Sequence, residues 1–110
     1  MPKTVKIQGV LRADTFGRRL TGLMGKGRWP RGWGGLAFPE CRAVHTFFTF
    51  LGPDILFVDG RGRILDIFKR AGAWRFFLGS AGSRHCLELP GGFCGENSLE
   101  KGDILQWEEK

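Results

Sequence analysis

The side chains best suited to chemistry gather in one stretch. Cys41-Arg-Ala-Val-His45 sets a thiol and an imidazole four residues apart in an apolar, β-prone run, and two acids, Asp54 and Asp59, follow it. On a strand alternate side chains share a face, so Cys41, Ala43 and His45 point the same way if the strand runs unbroken. That arrangement suits two chemistries. Thiolate and imidazole are zinc ligands, and His85, Cys86 and Cys94 could supply further donors from other segments. A Cys-His pair is also a nucleophile with its base, oriented here by Asp54 or Asp59. The cysteine spacing matches no zinc pattern, and the chain has no nucleophile elbow or recognisable oxyanion hole. The simpler expectation makes Cys41 a small buried hydrophobe and has His45 hydrogen-bonded to a carbonyl or to Asp54. No cofactor or metal is expected, and Cys41 and His45 are the candidates should a metal bind.

A second set of residues suits binding. From Gly25 to Gly35 the chain reads Gly-Lys-Gly-Arg-Trp-Pro-Arg-Gly-Trp-Gly-Gly, a composition that opposes any regular element. Trp29 and Trp33 on this loop could stack on a sugar face or a base, with Lys26, Arg28 and Arg31 as hydrogen-bond donors. Alternatively the indoles fold back and plug the end of a β core. Asp54 and Glu88 are acids inside apolar strands, where an unpaired carboxylate is costly, and Arg19 and Arg42 are candidate partners.

The elements that must position these groups are mostly strands. Thr4 to Arg12 alternates imperfectly between apolar and polar positions, as a strand with one buried face does. Asp14 or Thr15 can cap a short amphipathic helix carrying Phe16, Leu20, Leu23 and Met24, which Gly25 ends. Leu36–Phe38 and Val44–Phe50 read as strands. Ile55–Val58 and Ile64–Phe68 flank Asp59-Gly-Arg-Gly62, whose Asp and Gly suit a tight hairpin turn. Trp74–Leu78, Cys86–Leu89 and Asp103–Trp107 are further strands, and Pro90 to Leu99 is loop or a short helical turn. The adjacent rings of Phe47-Phe48 and Phe76-Phe77 must point to opposite faces of a strand. The sheet is therefore covered on both sides, closes into a barrel, or leaves one ring of each pair exposed.

Composition limits the rest. The 110 residues, 42% of them hydrophobic, suit a single domain, residues 1–110, with one core. The 18 glycines and five prolines are spread along the chain, a pattern of short elements and tight turns. Three cysteines without C-x-x-C spacing argue for reduced thiols. No run is long enough to cross a membrane, and the first residues lack the apolar core of a secretory signal, so a cytoplasmic protein is expected. The net charge of +6 is dispersed, which makes nucleic acid an unexpected partner. Oligomeric state is not legible.

Six ordered blocks resemble the domain of unknown function 192 family, from about residue 12 to residue 107. They are Arg19-Leu-Thr-Gly-Leu-Met24, Gly35-Leu-Ala-Phe38, Cys41-Arg-Ala-Val-His-Thr-Phe47, Asp54-Ile-Leu-Phe-Val-Asp-Gly60, Leu87-Glu-Leu-Pro-Gly-Gly92 and Lys101-Gly-Asp-Ile104. The resemblance implies a compact, mainly β (α+β) fold, mostly antiparallel and partly barrel-like, with one short N-terminal helix. It implies no known reaction. Thr49 stands where methionine is usual in the family, and Pro53 where an aliphatic residue is. The reading that follows is a non-enzymatic binding module for a polar, ring-containing small molecule such as a carbohydrate. Its cleft would be bordered by the Trp29/Trp33 loop, the His45 strand and the Pro90 to Gly95 loop, with Trp29, Trp33, Arg31, His45 and Asp54 as ligand-binding candidates. The alternatives are a metal- or thiol-dependent enzyme using Cys41 and His45, and an interaction subunit with exposed phenylalanines.

Overall fold

A computed structural model describes residues 2–13 and 26–110. The first strand, β1 (Thr4–Arg12), is followed by β2 (Gly35–Phe38), β3 (Ala43–His45), β4 (Asp54–Val58), β5 (Ile64–Phe68), β6 (Phe76–Leu78), β7 (His85–Leu89), the single helical turn α1 (Phe93–Glu96) and β8 (Ile104–Glu109). Six strands form one sheet in the order β5-β4-β7-β2-β1-β8, while β3 and β6 make a separate two-stranded ribbon.

The central strands are buried on both faces, and their side chains sort by the two-residue period of a strand. Ile55 and Phe57 of β4, Leu36 and Phe38 of β2 and Cys86 of β7 face one apolar cluster with Ala13, Ala71 and Phe77. Leu56, Val58, Ala37, Leu87 and Leu89 face the other, with Ile7, Val10, Cys94, Leu99 and Leu105. The ribbon and the Trp29/Trp33 loop lie over the first cluster, and the α1 segment over the second. Two-sided coverage is why residues 54–58 form an uninterrupted buried run.

The β4–β5 hairpin matches its sequence signal. Its turn is tied by Asp59 Oδ1, which accepts the N–H groups of Arg61 and Arg63, both at 2.9 Å. Gly62 holds φ of 87°, where a side chain is strained.

Three expectations change. The sheet does not close into a barrel: its edges β5 and β8 touch through an isolated Arg63–Ile104 bridge and share no ladder. Barrel closure requires continuous pairing around the whole sheet, and β3 and β6 have left it to pair with each other. The sheet is also mixed. β1 runs parallel to both β2 and β8, although four of the six strand pairings are antiparallel. The strand expected over Val44–Phe50 is cut to Ala43–His45, because the chain turns at Thr46 and Phe48 takes a left-handed φ of 60°. The short N-terminal helix read between Asp14 and Gly25 lies outside the described residues. The helix described is α1, within the stretch expected to be loop or a short helical turn.

Candidate functional site

The Trp29/Trp33 loop reaches its place through glycine. A Cβ on Gly34 would fall 1.8 Å from the Gln8 carbonyl oxygen, so only glycine lets this loop approach β1 so closely, and Gly34 donates to the Gly9 carbonyl at 2.9 Å. Both indoles are half-buried against the first core cluster. Trp29 Nε1 donates to the Trp33 carbonyl at 2.6 Å, and Lys26 Nζ sits 5.5 Å from the Trp33 ring centre. Arg31 is exposed on the same loop.

Asp54 is completely buried. Its Oδ1 accepts the N–H of Arg70 at 2.8 Å and of Gly92 at 3.3 Å, and its Oδ2 accepts the N–H of Cys94 at 2.8 Å. These backbone donors are supplied by the turn after β5 and by the start of α1; Arg42 is not among them, and Arg19, the other expected partner, lies outside the described residues. A cleft of about 350 Å³ opens beside it, lined by Asp54, Lys69, Arg70, Gly92, Gly95 and Glu96. Neither indole and no imidazole lines it.

His45 belongs to a third group. Its Nδ1 accepts the N–H of Phe47 at 3.2 Å, and its ring lies 4.9 Å from Phe47 and 6.2 Å from Phe76. The described contacts thus divide the five ligand-binding candidates into Trp29, Trp33 and Arg31 on one loop, Asp54 at the α1 cleft, and His45 on the ribbon.

The soft donors are also dispersed. Cys41 precedes β3 and donates its thiol to the Ala43 carbonyl at 3.0 Å. Cys86 faces the first cluster and Cys94 the second, on opposite sides of the sheet. Burial raises the Cys86 thiol well above its usual range, and burial together with the neighbouring Asp54 carboxylate pushes Cys94 up to about 12. Both are protonated thiols at neutral pH. His85 is lowered by burial, and its Nδ1 accepts the Glu40 N–H at 3.0 Å. Among the described residues no three His, Cys, Asp or Glu side chains converge to hold a metal ion.

What converges is aromatic. Around His45 and Phe47, the side chains of Phe48, Phe50, Trp74, Phe76 and Leu78 are 50%, 63%, 54%, 68% and 71% exposed, and they are all the exposed large apolar side chains among the described residues. Trp74 lies at the centre, with ring centres 4.6 Å from Phe48, 5.8 Å from Phe47 and 6.2 Å from Phe50; Phe47 and Phe76 are 5.1 Å apart. Buried Thr46 organises this group. Its N–H donates to the Arg75 carbonyl at 2.9 Å, and its carbonyl accepts the N–H groups of Thr49 and Trp74, each at 3.1 Å. Its hydroxyl donates to the Gly72 carbonyl at 2.6 Å and accepts the Arg75 N–H at 3.0 Å. Phe48 and Trp74 hold left-handed φ angles of 60° and 64°, which bulky side chains rarely adopt.

In the sequence Trp74 reads as an ordinary strand residue, and nothing there sets Thr46 apart. The available signal was the Phe76-Phe77 pair. Alternation sends Phe77 and Phe76 to opposite sides, and Phe77 enters the core while Phe76 faces outward; Phe48 is exposed instead by the turn that follows β3.

The fold and these surfaces define a small mixed-sheet domain with a covered core, an accessory ribbon and, among the described residues, no cluster that could hold a metal ion. The chain belongs to the DUF192 family, described as "Uncharacterized ACR, COG1430", whose model matches residues 3–107. It is 34% identical to a UPF0127 protein of Thermococcus sibiricus over 102 residues, 87% of this chain and 64% of that protein, so it spans just under two thirds of that relative's length. It is 32% identical to the UPF0127 protein PH1112 of Pyrococcus horikoshii, covering 96% of this chain and 93% of that protein. A crystal structure of a protein of unknown function from Novosphingobium aromaticivorans has the same fold, with a TM-score of 0.76 at 22% identity over 89% of this chain and 74% of that one. Among the described residues no helix is long and apolar enough to cross a membrane.

Proposed function

We propose that this chain is a non-enzymatic binding module that offers the aromatic face of the β3–β6 ribbon to an apolar or ring-bearing segment of a partner protein. The observation that carries the reading is that all five exposed large apolar side chains among the described residues lie on this face. At ~200 Å² for a large side chain, their exposed surface amounts to about 600 Å², the upper end for the largest apolar patch of a typical monomer. Aromatic residues are also the type enriched at interface centres. The left-handed backbone at Phe48 and Trp74 supports the same reading, because such strain, on the order of 1–3 kcal/mol per residue, persists where the surroundings enforce it and clusters at functional sites.

A second reading keeps a carbohydrate as ligand, stacked on Trp29 and Trp33 with Arg31 beside them. The half-exposure of both indoles favours it. The engaged Trp29 Nε1 and the Lys26 ammonium over Trp33 leave that platform less open than the ribbon face.

Titration of isotope-labelled protein with a short peptide of alternating Trp and Leu, and separately with a soluble hexasaccharide, tests both readings by amide shifts. The peptide should perturb residues 45–50 and 74–78, and the paired Phe48→Ala, Trp74→Ala variant should abolish that response. Shifts confined to 29–33 with the saccharide would favour the second reading. Silence at 45–50 and 74–78 sinks the first.

A further inference from the structure

Among the described residues nothing covers one edge of the β3–β6 ribbon, nor its aromatic face. The register pairs Ala43 with Leu78, Val44 with Phe77 and His45 with Phe76. The flanking bonds, Thr46 N–H to the Arg75 carbonyl and Gly79 N–H to the Arg42 carbonyl, place Val44–Phe77 among the closely hydrogen-bonded pairs of this ladder. Phe76 and Leu78 therefore direct their N–H and C=O groups away from β3. Among the described residues nothing bonds to those groups, and no strand lies on that side of β6. Proteins blunt such an edge by keeping it short, or with proline, a charge or a bulge. Phe76-Phe77-Leu78 is short, and it carries no proline, charge or bulge.

We infer that β6 pairs, antiparallel and about a two-fold axis at Phe77, with β6 of a second copy of this chain. This deepens the proposed function, since two ribbons joined in this way merge their aromatic faces into one continuous surface, and it rests on the ribbon face being the binding surface.

The edge is self-complementary. With Phe77 on the axis, Phe76 of one copy stands opposite Leu78 of the other, and each pair exchanges two main-chain hydrogen bonds because both residues point their backbone groups outward. The side chains of Phe76 and Leu78 lie on one face, so the two cross-strand pairs also bury apolar surface against each other. The strand is held ready at its far end, where Asp66 Oδ2 accepts the Ser80 N–H at 2.7 Å and Asp66 Oδ1 accepts the Ser80 hydroxyl at 2.6 Å. Charge does not oppose the pairing strongly. Each Arg75 lies opposite Gly79 of the other copy, leaving the two arginines ~13 Å apart along the strands, beyond the ~8 Å screening length of physiological salt.

Sedimentation equilibrium of the purified chain from about 10 μM to about 1 mM tests the pairing, because a short edge gives a weak, concentration-dependent dimer. Leu78→Pro removes an outward donor, and Phe76→Lys places a charge on the edge. Each should weaken the dimer about tenfold or more while the circular dichroism of the fold is retained. Register is read by mixing Phe76→Cys protein with Leu78→Cys protein under oxidation. The mixture should cross-link and either variant alone should not, since the opposed Cα atoms stand ~5.5 Å apart, within disulfide reach. A chain monomeric at every concentration overturns the proposal, as does a dimer indifferent to both edge variants or cross-linking as efficient in the single variants as in the mixture. The paired Phe48→Ala, Trp74→Ala variant should keep the dimer while losing the peptide response. Failure of the edge is thereby distinguished from failure of the face.

Discussion

The carbonyl of Thr46 accepts the backbone N–H of Trp74 at 3.1 Å, joining the two turns that carry the exposed aromatic rings. Because the same residue spends its hydroxyl on Gly72 and Arg75, one buried threonine holds both halves of the face. Thr46→Val preserves shape and removes only the hydroxyl, leaving the Gly72 carbonyl and Arg75 N–H unmatched. Urea unfolding should show a loss of about 1–3 kcal/mol, the range for a buried polar group deprived of its partner. The amide shifts induced by the aromatic peptide should weaken in the same variant.

Asp54 ties β4 to two segments 16 and 38–40 residues further along the chain through its three backbone donors. Replacement by alanine orphans those donors, and the expected destabilisation is about 3 kcal/mol or more. Asp54→Asn keeps one acceptor oxygen and should recover part of the loss. Equal unfolding midpoints for the two variants would show that the bonds are not what stabilises the segment.

Glu88 sits in β7 opposite Leu36 and Ile55 and is 5% exposed. Burial raises its pKa from 4.5 to about 7. The folded state then binds a proton that the unfolded chain has released, so this group lowers stability as pH rises from about 4.5 to 7, by up to about 3 kcal/mol. Glu88→Gln should flatten that slope and make the protein more stable than wild type at pH 8. Asp103 acts in the opposite direction. Hydrogen bonds from Lys3 and Glu100 hold it down at about 2, so its contribution is intact above pH 3.8 and is lost as pH falls through about 2.

Phe76 and Phe77 are neighbours with contrasting surroundings. Phe77 packs into the first core cluster and touches Phe68 at 5.0 Å between ring centres, so Phe77→Ala should destabilise by about 3 kcal/mol or more. Phe76→Ser, at a position exposed in the single chain, should change stability by about 0.5 kcal/mol or less in dilute solution, where the edge pairing is dissociated. Comparable losses in the two variants would mean that the outer face is covered in solution.

Alkylation of the native protein with iodoacetamide near pH 8 should modify the half-buried Cys41 and spare Cys86 and Cys94, whose buried thiols stay protonated. Mass spectrometry after a short pulse reads the pattern, and denaturation should expose all three. Early modification of Cys94 would contradict its place in the core.

The sequence by itself determined the local grammar. Alternation marked β1, Asp59 through Gly62 dictated the β4–β5 hairpin, and the ordered blocks from Arg19 to Ile104 identified the family, because turn chemistry and burial period act over a few residues. It also required that Phe76 and Phe77 part ways. Tertiary structure decided what those elements became. Whether the sheet closed depended on pairing between distant strands, and β3 with β6 left it because Thr46 turns the chain by bonding to residues 26 to 29 positions away. Convergence was likewise a long-range matter. Cys41, His45, Trp29 and Asp54 looked like one site along the chain, yet backbone donors from distant loops claimed Asp54 and the first core cluster took the indoles. Trp74, unremarked in the sequence, became the centre of the exposed face because a buried threonine carbonyl on another segment holds its backbone in place.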